Sequence, residues 1–128
     1  MIEKAKLIIT NNPKVKRFYD NQPLENKNEV SFLFCESREE VFRQVRDYVH
    51  KNWKLLNHAM AGNIPLHKHP YRSMALQKQD SLDSQSLMLW ENAMERVTRG
   101  RLPNYTDEVL SDFQDLDYIL FTDNIKIM

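Results

Sequence analysis

The chain has little glycine and little cysteine, and each shortage excludes a class of site. Among its 128 residues there are only two glycines, Gly62 and Gly100. A dinucleotide-binding loop needs three glycines in one turn, and a P-loop needs two followed by Lys and Ser or Thr, so neither motif is present. The only cysteine is Cys35. No disulfide can therefore form within the chain, and nothing points to an oxidising compartment.

The chain also lacks an excess of charge and a long apolar run. Its 18 Lys and Arg residues balance 18 Asp and Glu residues, so no overall field attracts nucleic acid or an anionic membrane. The first residues carry no apolar run of the signal-peptide kind, and no segment approaches the roughly 20 apolar residues of a membrane span. We therefore expect a cytoplasmic protein with no nucleic-acid or membrane partner. Hydrophobic residues make up 41% of the chain, which suits one domain over residues 1–128.

Four short segments predict strands, because they are apolar runs bounded by turn chemistry. They are Lys6–Thr10, Val30–Phe34, Lys54–His58 and Arg72–Gln77. Residues 59–71 separate the last two strands and contain Gly62, Pro65 and Pro70. A connection of this length is usually functional or mobile, or hides an element that has been assigned wrongly.

Four further segments predict helices, and each begins with a recognisable start signal. Asn12 caps a helix that starts at Pro13, and Ser37 with Glu40 has the form of a capping box. The third helix starts after Ser81 or Asp83, and the fourth starts after Thr106. We expect the fourth helix to bury an apolar stripe, made of Val109, Phe113, Leu116 and Leu120.

The predicted element order is β-α-β-α-β-loop-β-α-α. Alternation of strands and helices favours a parallel sheet with helices on its faces. We therefore predict an α/β fold with two or three layers and a mostly parallel sheet of about four strands. Such a fold is Rossmann-like but lacks a glycine-rich loop.

Several segments together resemble the GrdX family, and they are spread over nearly the whole chain. They are Ile8–Pro13, Val49–Lys51 leading into Lys54–His58, Ala61–Gly62, Pro70–Ser73, Asp112–Gln114 and Asp117–Tyr118. Genes of this family accompany the glycine reductase system of amino-acid-fermenting anaerobes. The resemblance thus implies an accessory to a selenium-dependent reductase. None of the segments is a catalytic signature. His67 and His69 inherit no role, because the family pattern is not histidine-rich in the stretch before Pro70.

Polar residues follow the first and third predicted strands, and they meet in one crevice if these two strands point the same way. The ligand-binding candidates are Thr10, Asn11, Asn12, His58, Gly62, Tyr71, Arg72 and Ser73. Arg72 can hold a carboxylate or phosphate in bidentate fashion, and His58 can titrate near neutral pH. The alternative is that Asn11 and Asn12 only turn the chain and cap a helix, while His58 bonds to a loop carbonyl.

Two other sites are weighed against simpler interpretations. His67 and His69 can form a zinc-like site if a third ligand such as His58 or an acid converges on them, but we prefer a solvated loop, because three convergent ligands are needed. Cys35 precedes a helix N-terminus, which can lower the pKa of a thiol, although a lone cysteine is often just a small buried residue. We assign no metal and no cofactor. Most acids of the last helix, Asp112 and Asp115 among them, are interpreted as its solvated face.

Three classes of function follow from these patterns. We prefer a non-catalytic accessory or ligand-sensing protein whose partners are glycine reductase components or a small anionic metabolite, because no set of nucleophile, base and orienting residue can be found from spacing. The alternative is a small enzyme that acts on an amino-acid-derived anionic substrate with His58 as general base. The third class is a structural subunit, for which we expect a large apolar patch and an obligate oligomer.

Overall fold

The computed structural model describes residues 5–22, 30–57, 68–97 and 101–124. Within these residues the chain forms four strands and four helices. The strands are β1 (Lys6–Thr10), β2 (Val30–Phe34), β3 (Trp53–Leu55) and β4 (Ser73–Lys78), and the helices are α1 (Pro13–Asp20), α2 (Arg38–His50), α3 (Ser84–Val97) and α4 (Asp107–Asn124). The predicted α/β class and the four strands are confirmed.

The four strands form one mixed sheet in the order β2-β1-β4-β3. β1 and β2 pair in parallel, whereas β4 lies between β1 and β3 and pairs antiparallel with both. The prediction of a mostly parallel sheet is therefore wrong. Alternation fixes strand direction only where a helix connects two strands, and the sequence pattern offers no helix between β3 and β4.

Because of the direction of β4, one end of each of the four strands lies at the same edge of the sheet. Since β1 and β3 both run against β4, they point the same way, and β2 is parallel to β1. The first residue of β4, Ser73, lies opposite Thr10, the last residue of β1. We call this side of the sheet the polar edge: it holds the carboxyl ends of β1, β2 and β3 and the amino end of β4.

Helices cover both faces of the sheet and enclose two separate cores. Leu7 and Ile9 point to the face covered by α2 and α3, where the buried residues also include Val45, Met74 and Trp90. Ile8 points to the opposite face, covered by α1 and α4, together with Val15, Val30, Ala75 and Phe121. The alternation of strand side chains thus produces a three-layer structure.

The predicted helix start signals are confirmed by the capping hydrogen bonds. The Ser37 side chain accepts from the Glu40 N–H at 3.2 Å, which is the N-cap half of a capping box. Asp83, rather than Ser81, caps α3 by accepting from the Ser86 N–H at 3.1 Å. The Thr106 hydroxyl accepts from the Val109 N–H at 3.3 Å at the start of α4.

Helix α4 has 18 residues, and its buried face differs from the predicted stripe. Val109 is 36% exposed, whereas Asp117 and Phe121 are 5% and 3% exposed. The face toward the sheet instead carries Phe113, Asp117 and Phe121, which are spaced four residues apart. Among the helices of the described segments, none has the length and apolar character needed to cross a membrane.

Candidate functional site

Several polar side chains at the polar edge are buried. Buried polar groups normally have hydrogen-bond partners, so we examine the partners of each of these side chains. Thr10 and Asn12 are fully buried, and Asn11, Arg72 and Ser73 are at most 8% exposed. They come together because the register of β1 and β4 places Thr10 opposite Ser73. The chain leaves β1 through Asn11 and Asn12 and enters β4 through Arg72. The antiparallel pairing of β1 with β4 therefore builds this cluster.

A directed chain of hydrogen bonds runs from the end of β1 to α4. The Asn12 N–H donates to Thr10 Oγ1 at 2.9 Å, and the two hydroxyl oxygens of Thr10 and Ser73 are 2.6 Å apart. Ser73 Oγ donates to Asp117 Oδ2 at 2.6 Å. Because Ser73 has a single hydroxyl proton, Thr10 must be the donor to Ser73. This series of hydrogen bonds thus ends on the Asp117 carboxylate.

The Asn12 side chain both caps α1 and fastens α1 to α4. Its Oδ1 accepts from the Lys14 N–H at 3.0 Å. Its Nδ2 donates to the Gln114 carbonyl at 2.9 Å and to Asp117 Oδ2 at 2.9 Å. The cap alone therefore does not explain this asparagine, because half of its amide is used for tertiary contacts.

Asn11 holds the segment that leads into β4. Its Nδ2 donates to the Pro70 carbonyl at 3.0 Å, and its Oδ1 accepts from the Arg72 N–H at 2.9 Å. The Tyr71 hydroxyl accepts from Gln114 Nε2 at 2.7 Å. Asn11 thus fixes the backbone that leads into Arg72, and Gln114 of α4 holds the Tyr71 side chain.

Two arginines and a histidine lie buried beside this segment. Arg38 is 5% exposed, Arg72 is 4% exposed and His69 is fully buried. Arg38 donates from Nη1 to the His69 carbonyl at 3.0 Å and from Nε to Glu39 Oε1 at 3.0 Å. Burying a guanidinium without a full set of hydrogen-bond acceptors costs free energy, so the partners of Arg72 decide how costly its burial is.

Three buried donors at the polar edge have no acceptor among the residues that the structure describes. Within the described part of the chain, Nε and Nη2 of Arg72 and Nε2 of His69 lack a hydrogen-bond partner. His69 Nδ1 accepts from the Tyr71 N–H at 3.4 Å. In a neutral imidazole one nitrogen carries the proton, so Nε2 is the protonated one. All three atoms are therefore donors, and an acceptor group is the complementary ligand.

The buried charges shift one another's pKa values. Burial, with the charges of Arg72 and Arg38 added, lowers the pKa of His69 to about 3, so the imidazole is neutral at physiological pH. Burial also lowers the pKa of Arg72 to about 10, against the opposing effect of Asp117. The pKa of Asp117 is raised by burial, although hydrogen bonds from Ser73 and Asn12 and the charge of Arg72 counteract this.

Comparison with known proteins identifies the family of the chain. The family model described as GrdX-like protein matches residues 7–126. The chain belongs to the GrdX-like family. The predicted resemblance is therefore confirmed. Neither the curated proteins nor the solved structures include a match.

The GrdX-like chain brings together most of the predicted ligand-binding residues. Thr10, Asn11, Asn12, Arg72 and Ser73 lie at the polar edge, and Tyr71 adjoins them through its bond to Gln114. His58, Gly62 and His67 lie outside the described residues. The polar atoms of the two asparagines bond to the protein itself, so these side chains shape the site. Arg72 and His69 carry the buried donors that have no partner in the described segments.

The sequence analysis of this GrdX-like protein missed Arg38, Gln114 and Asp117. Arg38 lies in the capping box, where a charged side chain is normally solvated. Asp117 lies on α4, most of whose acids were interpreted as a solvated face, and it was not named as a site residue. Its spacing of four residues from both Phe113 and Phe121 was the available signal, since it places an acid on an apolar face. No equivalent signal marks Arg38.

Two further predicted sites in this GrdX-like protein have different outcomes. Cys35 is 4% exposed, and burial, together with the charge of Glu40, raises its pKa. The reactive alternative required a lowered pKa, so the structure favours a buried structural thiol. The zinc-like site depends on His67, with His58 or an acid as third ligand, and both of these histidines lie outside the described residues. Over residues 5–22, 30–57, 68–97 and 101–124 there is no group of three side chains able to hold a metal.

Proposed function

We propose that this protein is a non-catalytic accessory of the glycine reductase system that binds a small anionic ligand at its polar edge. Two lines of support are independent of each other. Membership of the GrdX-like family supports the association with glycine reductase. The buried, unpaired donors of Arg72 and His69 support anion binding.

The proposal rests mainly on Arg72, because burial of its guanidinium is unfavourable without a bound anion. The side chain is 4% exposed, yet two of its guanidinium nitrogens find no acceptor in the segments that the structure describes. An unsatisfied buried donor costs about 1–3 kcal/mol, and more when the group is charged. A bound anion supplies both the missing acceptors and the missing charge.

The surrounding bonds support binding more than catalysis. Ser73 and Thr10 are buried and committed to the Asp117 carboxylate, so neither hydroxyl is placed as a nucleophile. His69 is neutral and fully buried, and its Nδ1 is occupied by the Tyr71 N–H. These groups are arranged as donors to a ligand, which suits recognition of an anion.

Anion binding is tested by thermal unfolding with sulfate, inorganic phosphate, acetate and glycine at constant ionic strength. A ligand at ten times its dissociation constant stabilises the folded state by about 1.4 kcal/mol, or about 5 °C in a chain of 128 residues. We expect this shift for at least one anion with wild-type protein and with the control Arg46→Gln, whose side chain is exposed on α2. Arg72→Gln is expected to abolish the shift. A shift that persists in Arg72→Gln, or no shift with any anion, contradicts the proposed site.

The association with glycine reductase requires a separate test in a glycine-fermenting host. Affinity capture of tagged wild-type protein is expected to enrich at least one reductase component over a tag-only control. Reproducible absence of every component, under conditions in which the reductase itself stays assembled, counts against the accessory role. The two tests are independent, so the anion site and the reductase association can fail separately.

A further inference from the structure

We propose that β2 pairs with the β2 strand of a second copy of this chain. The two strands run antiparallel and are related by a two-fold axis at Phe32, so that two four-stranded sheets join into one. This dimer does not use the anion site, so either can fail without the other.

β2 is an outer strand, and half of its backbone groups face away from β1. The Cys35 N–H donates to the Thr10 carbonyl at 2.8 Å, so in the parallel register every second residue before Cys35 also faces β1. The residues between them face the outer edge, and they are Val30, Phe32 and Phe34. The Tyr19 hydroxyl donates to the Val30 carbonyl at 2.9 Å, in agreement with this direction. No strand of the described segments pairs with the outer edge.

The two outer strands of the sheet are protected to different degrees. β3 has three residues and carries Lys54, and its outward Leu55 N–H donates to the Ser86 hydroxyl of α3 at 3.0 Å. Short length, a lysine and a covering helix are devices that keep a sheet edge from pairing with another chain. β2 has five residues, with no charged residue and no proline, and its register with β1 contains no bulge. The edge of β2 is therefore open to another strand.

A second copy of β2 is the partner that fits this edge. In an antiparallel pair centred on Phe32, the two Phe32 residues bond to each other, and Phe34 bonds to Val30 of the second copy. Every outward backbone group of the strand then has a partner. The strand carries no charge, and the 18 basic residues of the chain balance its 18 acidic residues. Neither local nor overall charge repulsion therefore opposes self-association, and a charged partner finds no complement at this edge.

The same pairing covers apolar side chains. Phe34 lies on the same face of β2 as Val30 and Phe32, because it is separated from them by even numbers of residues. The Phe32 ring stacks on Tyr19, with ring centroids 4.6 Å apart, whereas Phe34 remains 39% exposed. In the two-fold pair Phe34 lies beside Val30 of the second copy and diagonal to its Phe32. The exposed ring is therefore buried by pairing.

Sedimentation velocity and amide hydrogen exchange on the full-length wild type test the pairing. We expect a concentration-dependent dimer up to about 500 µM, because one strand pair is a small interface. Under conditions that favour the dimer, the amides of Phe32 and Phe34 should be protected from exchange to the same degree as those of Ser31 and Leu33, which face β1. A monomer throughout this range overturns the proposal. A dimer in which the Phe32 and Phe34 amides stay unprotected also overturns it.

Variants show whether β2 forms the interface. Phe34→Pro removes an outward N–H but leaves the bonds between β1 and β2, so we expect the dissociation constant of the dimer to rise by about tenfold or more. The matched control Met88→Lys replaces an apolar side chain of α3 that is 64% exposed, and it should dimerise as the wild type does. Unchanged dimerisation of Phe34→Pro, or loss of the dimer in Met88→Lys, overturns the assignment to β2. Should Phe34→Pro not fold, Ser31→Lys provides a second test, because it places a charge at an exposed position of the same strand.

Discussion

Replacing Asn12 by Asp tests whether this residue is a helix cap or the link between α1 and the polar edge. Asp is as good an N-cap as Asn, so a purely local role predicts a change of only a few tenths of a kcal/mol. In the structure, however, Asn12 Nδ2 donates to Asp117 Oδ2 and to the Gln114 carbonyl, both at 2.9 Å. Asn12→Asp removes both donors and places a second carboxylate beside Asp117.

The magnitude follows from these contacts. Each lost hydrogen bond is worth about 1 kcal/mol, and the bond to the charged carboxylate is worth more. Two carboxylates about 4 Å apart repel by about 4 kcal/mol at an effective dielectric constant of 20, although protonation of one of them limits this cost. We expect a net loss of about 4 kcal/mol near pH 8, which corresponds to a fall of about 15 °C in the melting temperature of 128 residues.

The pH dependence of Asn12→Asp has a definite sign. Like-charge repulsion raises the folded-state pKa of the carboxylate pair above its unfolded value. At this pair the folded state then binds more protons than the unfolded state, so the pair's contribution to stability is greatest at low pH and falls as the pH rises through the raised pKa. The loss relative to wild type is therefore expected to be smaller near pH 5 than near pH 8.

Urea unfolding monitored by circular dichroism measures these differences. Asn12→Ser retains a capping hydroxyl without adding charge, so the decrease in its free energy of unfolding measures the effect of the missing amide donors alone. The double variant Asn12→Asp with Asp117→Asn exchanges carboxylate and amide across the contact, and we expect it to recover much of the stability. If Asn12→Asp is within about 0.5 kcal/mol of wild type at pH 8, the reasoning is refuted and Asn12 is only a cap.

Three further predictions concern other parts of the structure. The pKa of His69 falls from 6.5 to about 3 on folding, so the folded state resists protonation of this imidazole. The free energy of unfolding of the wild type should therefore drop as the pH falls below 6.5, by up to about 1.4 kcal/mol per pH unit. In urea unfolding at several pH values, His69→Gln should lack this part of the pH dependence. Asn57→Ala should lower the free energy of unfolding in urea by about 2 kcal/mol, because Asn57 accepts from the Ala75 N–H at 2.8 Å and donates to the Ser73 carbonyl at 3.0 Å. A decrease below about 0.5 kcal/mol contradicts this. Cys35 is buried with a raised pKa, so a thiol reagent followed by mass spectrometry should modify it only as fast as the chain opens.

Much of the secondary structure was predictable because its signals are local. The apolar runs of β1 and β2 and the caps Ser37 and Thr106 each depend on residues within a few positions of one another. β3 was predicted less well and ends at Leu55. There the side chain of Asn57 replaces the backbone in bonding to β4, an arrangement that apolar periodicity cannot reveal.

The candidate site was only partly predictable. Its polar residues from β1 and β4 could be named, since they flank predicted strands at chain positions where ligands often bind. Their burial and their partners could not be inferred, because Asp117 and Arg38 belong to helices whose charged residues usually face solvent. Only the packing of α4 against the sheet shows that Asp117 lies inside.

The sequence by itself determined the family, the positions of the helices and of every strand except β3, and the absence of nucleotide-binding loops, because each depends on residue types at short spacing. The tertiary structure decided the antiparallel course of β4 and the meeting of Thr10, Asn12, Ser73 and Asp117. These contacts join residues 63 and 105 positions apart. Such pairings are selected by the burial of whole faces and by the need of each buried polar group for a partner, and neither condition can be evaluated within a single segment.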